Sequence, residues 1–547
     1  MRKKLRGLPF AGVGRGAELP VWVIFPVIFA VLYLTHWSLL RLPYYWDEAG
    51  YYIPAAWDFF CTGSLIPSST LTNAHPPLPS VYLALWWWVS GFTPEVTREA
   101  VLIVAAFGLT GVWRLSLRLT GSAAVAFWTV LLTGLYPVWF AQSSLAHADI
   151  FAAAATLWAL VYALPEPVAG KPRRLWLAAI WFSVAVLAKE TAIVTPLLLG
   201  MLEVAGSVRQ PAEARRRSWA AAGWYSVCVV PLAGWYAYHR AKTGFVFGNP
   251  DFLRYNATET LDPIRILAAF GHRLLHLTAH MNMFVPVLCV VAALMLEPVL
   301  ERNGSPRTIF RDAEATRVGL TRIGWLLLGN AAAFSVLGGA LLTRYLLPMF
   351  PLVLVVCVAV FRSRVRAWPL LAGFAGVAFV TGLFVNPPYG FAPEDNLTYA
   401  HVIRLHEAAI DELVAHYPGA TVLTAWPVVD ELTKPELGYL TRPFAVDKLE
   451  DFTQAQIEKA AQDPGGYSTA LVFSTKEDPP ALPFHLNTPA MEEQYFGLHH
   501  DMSPRAIAER LGGTIVWEKT DGLDWAAVIR FRRSYDARLE LSRGRHP

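Results

Sequence analysis

The stretch "LPVWVIFPVIFAVLYLTHWSLLRLPYYWDEAGYY", residues 19–52, joins a long apolar run to an acidic pair set among aromatic rings. The run, residues 19–42, is longer than the roughly 7–15 apolar residues of a signal peptide and has no obvious small-x-small cleavage site. A helix needs about 20 apolar residues to cross a hydrocarbon core of about 30 Å. The stretch therefore predicts a retained first membrane span that opens into a polar loop carrying Asp47 and Glu48.

The whole chain has the composition of a membrane protein. Of its 547 residues, 54% are hydrophobic and 16% are charged, whereas soluble domains are about 25% charged. The four cysteines are scattered, with neither a disulfide framework nor metal-ligand spacing. Further apolar runs predict a polytopic α-helical membrane protein of about eleven spans, near 20–41, 98–118, 122–140, 148–164, 174–188, 190–205, 219–237, 283–299, 321–341, 345–361 and 368–385.

Every second connection between these spans is short and rich in Lys and Arg. The positive-inside rule places such connections, together with the N-terminus, in the cytoplasm of a multi-pass protein of the plasma or inner membrane. The basic residues are Arg2, Lys3, Lys4, Arg6, Arg114, Arg118, Lys171, Arg173, Arg174, Arg209, Arg215, Arg216, Arg217, Arg302, Arg307, Arg311, Arg317, Arg362, Arg364 and Arg366. The large loop 42–99, the loop 239–282 and everything after about residue 386 are then expected outside.

The C-terminal part of the chain has a different pattern. Residues 396–419 show helical periodicity and end at a glycine, and the runs "ATVLTAWP", "STALVFSTK", "GTIVWEKT" and "WAAVIRFRR" are typical of strands. These features predict two domains: a transmembrane catalytic domain over 1–389 and a small soluble α/β domain over 390–547, on the extracytoplasmic side.

Nine residues that carry polar or aromatic groups fall near the same outer membrane surface on this topology. A charged side chain costs about 2.5–3.5 kcal/mol at the centre of a membrane helix and less near the interface, so such residues persist when paired or functional. Carboxylates beside an outer cavity can take a proton from a hydroxyl or bind a metal, while cations neutralise a phosphate. The nine are Asp47, Glu48, His75, His147, Asp149, Lys189, Glu190, Arg344 and Tyr345.

Several of these residues also have a structural explanation. Asp47 and Asp149 are good helix caps, Lys189 and Glu190 can pair locally, and the rings around Asp47 suit an interfacial aromatic belt. His272, His276 and His280 recur every fourth residue and share a helix face. On a straight helix, side chains spread over three successive turns lie too far apart to bind one metal ion together. The pattern therefore favours a helix face that contacts lipid headgroups over a metal site.

Five motifs, in order, resemble those of the C-type glycosyltransferases that use polyprenyl-phosphate sugars, in particular the group of protein O-mannosyltransferases and lipid A aminoarabinose transferases. The motifs are "YYWDEAGYY" (44–52), "HPPLP" (75–79), "HADIFAAA" (147–154), "LAKET" (187–191) and "RYLLPMFP" (344–351). The resemblance covers residues 20–390 and implies a C-type architecture, with a large first outer loop that carries amphipathic helices.

The resemblance implies a role for each matching residue. Asp47 is similar to the loop-one carboxylate that orients or deprotonates the acceptor, Glu48 to its supporting neighbour, and Asp149 to the second acidic residue. Lys189 and Arg344 are similar to cations near the donor phosphate. Together with Glu48, the two aspartates are the expected catalytic residues.

The remaining candidates are expected to bind substrate, and they include one departure from the family pattern. These candidates are His75, His147, Lys189, Glu190, Arg344 and Tyr345. Aminoarabinose transferases carry Glu-Lys where this chain has Ala74-His75, which argues against aminoarabinose transfer as the specific activity.

The expected function is transfer of a hexose or pentose from a polyprenyl-phosphate donor to a protein, glycolipid or cell-wall acceptor outside the membrane, as part of cell-envelope chemistry. The alternative is a transporter or flippase for a lipid-linked or anionic substrate. A third possibility is a non-catalytic membrane anchor for the α/β domain. No nucleic-acid partner is expected. No cofactor is assigned, and binding of a divalent metal ion by the outer carboxylates stays open.

Overall fold

The computed structural model describes residues 20–164, 173–258, 260–301, 303–462, 466–475 and 500–531. The N-terminal residues whose charge predicts a cytoplasmic N-terminus (Arg2, Lys3, Lys4 and Arg6) lie outside the described residues, as do Lys171 and Arg302. Within residues 20–385, the α-helices are α1 Val21–His36, α2 Ile53–Thr62, α3 Leu78–Ser90, α4 Pro94–Thr120, α5 Ala123–Leu135, α6 Pro137–Gln142, α7 Ala148–Ala163, α8 Leu175–Ala188, α9 Val194–Ser207, α10 Ala212–Ser226, α11 Val229–Thr243, α12 Pro250–Leu253, α13 Pro263–Thr278, α14 Phe284–Leu294, α15 Ala313–Val336, α16 Phe350–Arg364 and α17 Trp368–Phe384.

Each of the eleven predicted spans coincides with a helix or helix pair, but few helices are long. Among the described residues, Val21–Leu39, Pro94–Thr120 and Glu190–Ser207 are long and apolar enough to cross a membrane. Pro263–Asn282 and Phe284–Leu294 add a fourth span if this pair, bent by 96°, counts as one. Eleven spans therefore stay a prediction, and part of the loop expected over 239–282 is helical.

Local sequence explains where the longest helix begins and ends. Thr93 accepts a hydrogen bond from the backbone N–H of Val96, and Pro94 follows at the first helical position, where its missing N–H costs nothing. Gly121 ends the helix at φ +68°, a left-handed conformation that glycine adopts without strain. Ser122 then caps α5 by accepting from Val125, so two helices are joined by a very short connection.

The loop between α1 and α4, which is predicted to lie outside and is called the first outer loop below, contains two helices, α2 and α3, and a π-helical turn, Glu48–Tyr52. Asp58 of α2 holds the connection between the helices because its carboxylate accepts hydrogen bonds from the backbone N–H groups of Ser68 and Ser69. The loop 42–99 thus packs into a defined structure, and its position outside the membrane stays a prediction.

The C-terminal part is a five-stranded sheet covered by helices. The strands are β1 Thr421–Ala425, β2 Ala445–Leu449, β3 Thr469–Phe473, β4 Thr514–Asp521 and β5 Asp524–Arg530, and the helices are α18 Thr398–His416, α19 Val428–Thr433, α20 Gln454–Gln462 and α21 Pro504–Leu511. Their order is β2-β1-β3-β5-β4, parallel from β2 to β3 and antiparallel from β3 to β4. The four predicted strand segments are confirmed, and β2 is additional.

The sheet domain rests directly on the first outer loop. The backbone N–H of Tyr44 donates to the carbonyl of Leu437 at 3.1 Å, and the rings of Trp46 and Trp426 meet edge to face with centroids 4.7 Å apart. A Cβ on Gly50 would lie 3.1 Å from the Trp426 ring, so glycine permits this close approach. The acidic pair is therefore enclosed between the membrane helices and the sheet domain.

Candidate active site

A cavity of about 1920 Å³ lies between the helices and the sheet domain. Its walls come from the first outer loop, the break after α8, helix α13, the segment after α17, and the ends of β1 and β3. Five of the nine predicted residues line it: Asp47, His75, Lys189, Glu190 and Tyr345. The other four predicted residues lie behind this wall.

Arg344 is the centre of the charged groups next to the cavity. It lies in the turn Thr343–Leu346, and its side chain is 2% exposed. Its Nη1 donates to Glu394 at 2.6 Å, and its Nη2 contacts the Asp47 carboxylate. Its Nε lies 3.5 Å from Asp149 Oδ2, which is an ion pair but not a good hydrogen bond. One buried guanidinium thus holds three carboxylates.

Lys189 adds the second cation of this cluster. It directly follows the last residue of α8, and its extended backbone separates α8 from the turn Glu190–Ile193. Its Nζ donates to Asp149 Oδ1 at 2.7 Å and lies 4.3 Å from the ring centroid of Tyr345. The ion pair and the cation–π contact fix the ammonium group at the cavity wall.

His75 and Glu190 form a separate pair on the cavity wall. His75 Nδ1 lies 2.9 Å from Glu190 Oε2, and the imidazole stacks on the ring of Tyr52 with centroids 5.8 Å apart. The pair links the first outer loop to the break after α8. Both side chains remain partly accessible, at 16% and 14%, so a ligand in the cavity can reach them.

Glu48 turns away from the cavity and is fully buried. Its Oε1 accepts from the N–H of Ala146 at 2.7 Å, its Oε2 accepts from the N–H of Tyr45 at 3.1 Å, and each oxygen also accepts from Arg98 at 3.3 Å. Arg98, at the start of α4, was not among the sequence candidates. Both the supporting and the catalytic role of Glu48 stay predictions.

His147 is also buried and does not line the cavity. Its Nδ1 lies 2.9 Å from Gln142 Oε1 and 3.2 Å from Arg344 Nη1. Burial, followed by the positive charges of Arg344 and Lys189, lowers the pKa of His147 well below its usual value. The imidazole is therefore neutral and sits behind Arg344, so direct substrate contact by His147 remains a prediction that this geometry does not favour.

Two carboxylates that sequence reasoning missed come from the segment "NPPYGFAPED", residues 386–395, which follows α17. Glu394 contacts Arg344, and Asp395 lies 2.9 Å from His280 and accepts from Thr343 at 2.8 Å. Burial raises the pKa of Glu394 to about 7, with Arg344 opposing the shift and Asp47 adding to it. The sequence did contain a signal for these residues, namely two adjacent carboxylates directly after a proline-rich connection.

The three regularly spaced histidines all line the cavity. They are not on one straight helix, because α13 ends at Thr278 and His280 falls in the following turn. Among the described residues, no group of three or more His, Cys, Asp or Glu side chains is arranged to hold a metal ion.

Comparisons with solved structures identify the fold. Neither a protein family nor an individual curated protein matches the sequence. ArnT from Cupriavidus metallidurans bound to undecaprenyl phosphate matches with a TM-score of 0.53 at 14% identity, over 94% of this chain and 99% of that one. Its apo state matches with a TM-score of 0.53 at 14% identity, over 93% and 98%. The Archaeoglobus fulgidus oligosaccharyltransferase in the apo form has a TM-score of 0.45 at 12% identity, over 82% and 69%.

The match to ArnT extends over nearly the whole of both chains, including the sheet domain. ArnT belongs to the C-type glycosyltransferases, the group that the sequence motifs resemble. The predicted resemblance is confirmed at the level of the fold: this protein has the helical architecture of the C-type membrane glycosyltransferases, with a small sheet domain at its C-terminus.

Proposed function

We propose that this protein is a membrane glycosyltransferase that moves a sugar from a polyprenyl-phosphate donor to an acceptor on the extracytoplasmic side of the plasma or inner membrane. The observation that carries the proposal is the position of Asp47, the side chain of which is 36% exposed at the cavity while Arg344 holds it. The fold shared with ArnT, which was solved with undecaprenyl phosphate, supports the class of donor.

The reaction requires a carboxylate for the acceptor and cations for the donor. Asp47 orients the acceptor hydroxyl, and the proton passes into the carboxylate cluster as the oxygen attacks the anomeric carbon with inversion. The polyprenyl phosphate leaves already ionised and needs no strong acid. Lys189, with its ammonium at the cavity wall, stabilises the phosphate.

The test is transfer by purified protein in lipid vesicles, with and without Asp47→Asn. The variant keeps the side-chain shape but removes the negative charge that orients the acceptor hydroxyl, so transfer should fall by roughly 10²-fold. Asp58→Asn is the matched control, because Asp58 is a buried carboxylate of the same loop whose contacts are to Ser68 and Ser69. Full activity of Asp47→Asn would remove the central claim.

The sugar and the acceptor follow from a second experiment. Mass spectrometry of membrane lipids and surface glycans, with and without the gene, should show a defined mass loss that names both. Substrate movement across vesicles by purified protein, with no glycosylated product, would instead support the transporter alternative.

A further inference from the structure

The segment between α17 and the sheet domain brings an additional carboxylate into the active-site cluster. Glu394 lies in the turn Pro393–Asp395, is 2% exposed and lines the cavity next to Asp47. Its backbone carbonyl accepts from the side chain of Gln142 at 3.3 Å. The carboxylate is therefore fixed in place and reachable from the space that the substrates would occupy.

The charges around Glu394 do not balance. The cluster contains three carboxylates (Asp47, Asp149 and Glu394) and two cations (Arg344 and Lys189) that contact them. Nearby His147 is buried and neutral. When like charges share one buried site, the pKa of one carboxylate is raised, so that carboxylate takes up a proton more readily. With all three carboxylates ionised, the cluster carries one net negative charge, which a single bound proton neutralises.

Glu394 is the carboxylate best placed to hold that proton. Asp149 accepts a short hydrogen bond from Lys189 at 2.7 Å, and Asp47 is partly open to the cavity. Glu394 is buried and faces Arg344, with Asp47 and Tyr45 opposite it and Asp395 beside it. Its pKa of about 7 fits a group that exchanges its proton at neutral pH.

We propose that Glu394 is a second catalytic carboxylate, which receives the proton of the acceptor hydroxyl while Asp47 orients that hydroxyl. The inference rests on the glycosyl transfer proposed above. The acceptor O–H bond breaks as its oxygen bonds to the anomeric carbon, and the proton goes to the Glu394 carboxylate. The bond from the anomeric carbon to the phosphate oxygen breaks, and its electron pair leaves with the polyprenyl phosphate. Glu394 then releases the proton to water in the cavity.

The first test compares the pH dependence of transfer in the wild type and in Glu394→Gln. Because the base must be deprotonated, wild-type turnover should rise with pH and level off above about pH 7. Glu394→Gln keeps a hydrogen-bond acceptor for Arg344 but cannot take a proton, so turnover should fall by roughly 10²-fold or more and the rise near pH 7 should vanish. An unchanged pH profile would overturn the assignment.

Two further variants separate chemistry from folding. Glu394→Asp keeps a carboxylate on a shorter side chain, so it should retain measurable transfer and a pH-dependent limb. Glu431→Gln is the matched control, because Glu431 is a buried carboxylate of the sheet domain that pairs with His406 at 3.0 Å. Equal losses in Glu394→Gln and Glu394→Asp, both with the wild-type pH profile, would show that Glu394 only positions Arg344 and would contradict the proposal.

A spectroscopic titration tests the proton on Glu394 without any substrate. Infrared difference spectra of the full-length protein in vesicles should show a protonated-carboxyl band that disappears as the pH is raised through about 7. The band should be missing in Glu394→Gln and present in Glu431→Gln. A wild type that shows the band but transfers no sugar would contradict only the proposed function, whereas a wild type without the band would contradict the role of Glu394.

Discussion

Asp47 and Glu48 are neighbours in the chain, yet they end in two ion-pair centres of opposite character. The sealed centre consists of Glu48 and Arg98, both fully buried. The open centre consists of Asp47, Asp149, Lys189, Arg344 and Glu394, and part of it borders the cavity. The two carboxylates point in different directions because Trp46 has a left-handed backbone (φ +52°) and a π-helical turn begins at Glu48.

The centres differ most in how completely their polar atoms are hydrogen-bonded. In the sealed centre, both Glu48 oxygens are bonded and Arg98 also donates to the carbonyls of Leu42, Pro43 and Ser144. In the open centre, Arg344 Nε and Asp149 Oδ2 are buried without a hydrogen-bond partner among the described residues, and so is Nε2 of the neighbouring His147. The sealed centre therefore needs no further partner, whereas the open centre and its neighbour His147 keep buried polar atoms that make no hydrogen bond among the described residues.

Breaking the sealed centre should give the largest effect on stability. Arg98→Met leaves Glu48 as a buried charge without its partner, at a cost of about 3–5 kcal/mol. We expect a lower thermal midpoint in detergent and a lower yield of folded protein.

The control for Arg98→Met is a double variant. Glu48→Leu combined with Arg98→Met removes both charges and should recover part of the lost stability, since a buried pair replaced by apolar residues often costs little. If Arg98→Met were as stable as the wild type, the distinction between the two centres would fail.

Within the open centre, Arg344→Lys should reduce activity more than stability. A lysine keeps the charge but cannot span three carboxylates as a guanidinium does. Loss of one charge-assisted hydrogen bond is worth about 1.5–3 kcal/mol, which corresponds to roughly 10- to 150-fold in kcat/KM. Transfer assays in vesicles measure this loss, and thermal unfolding provides the control. A collapse of stability with little change in kcat/KM would assign Arg344 to the fold.

The sequence predicted the convergence of the open centre better than its details. The alternating basic loops predict that Asp47, Lys189 and Arg344 lie on one side of the membrane, and the structure brings the three side chains together. Which member of the Asp47–Glu48 pair turns inward depends on one irregular turn that periodicity does not reveal. Arg98 was missed because it begins the predicted span 98–118. A charged residue at that position is usually interpreted as marking the end of a membrane span.

Glu394 and strand β2 were missed for two different reasons. Glu394 joins the cluster only because the connection after α17 folds back against Arg344, a tertiary contact between residues fifty positions apart. Strand β2 was missed because it is an edge strand with no buried residue, and its sequence "AVDKL" lacks the apolar pattern of a buried strand.

A smaller effect is expected at the second contact of the cavity wall, between His75 and Glu190. Glu190→Gln keeps a hydrogen-bond acceptor but removes the charge opposite the imidazole, at a cost of about 0.5–1.5 kcal/mol. The value of kcat/KM should fall by roughly 2- to 12-fold, with the thermal midpoint nearly unchanged. His75→Gln should have a similar effect, and the double variant should add little because the two residues form one pair. Fully additive losses would indicate that each residue acts alone.

The smallest effect is expected where the sheet domain meets the open centre. Trp426 packs against Trp46, the residue just before Asp47, and such an aromatic pair is worth about 0.5–1.5 kcal/mol beyond its buried area. Trp426→Ala should therefore loosen Asp47 and lower kcat/KM a few-fold, while the buried Glu48–Arg98 pair keeps its hydrogen bonds and the thermal midpoint stays close to the wild type. Trp426→Phe retains a ring and should stay near wild-type activity. If Trp426→Ala lowered stability but left transfer intact, the sheet domain would support the sealed centre rather than the open one.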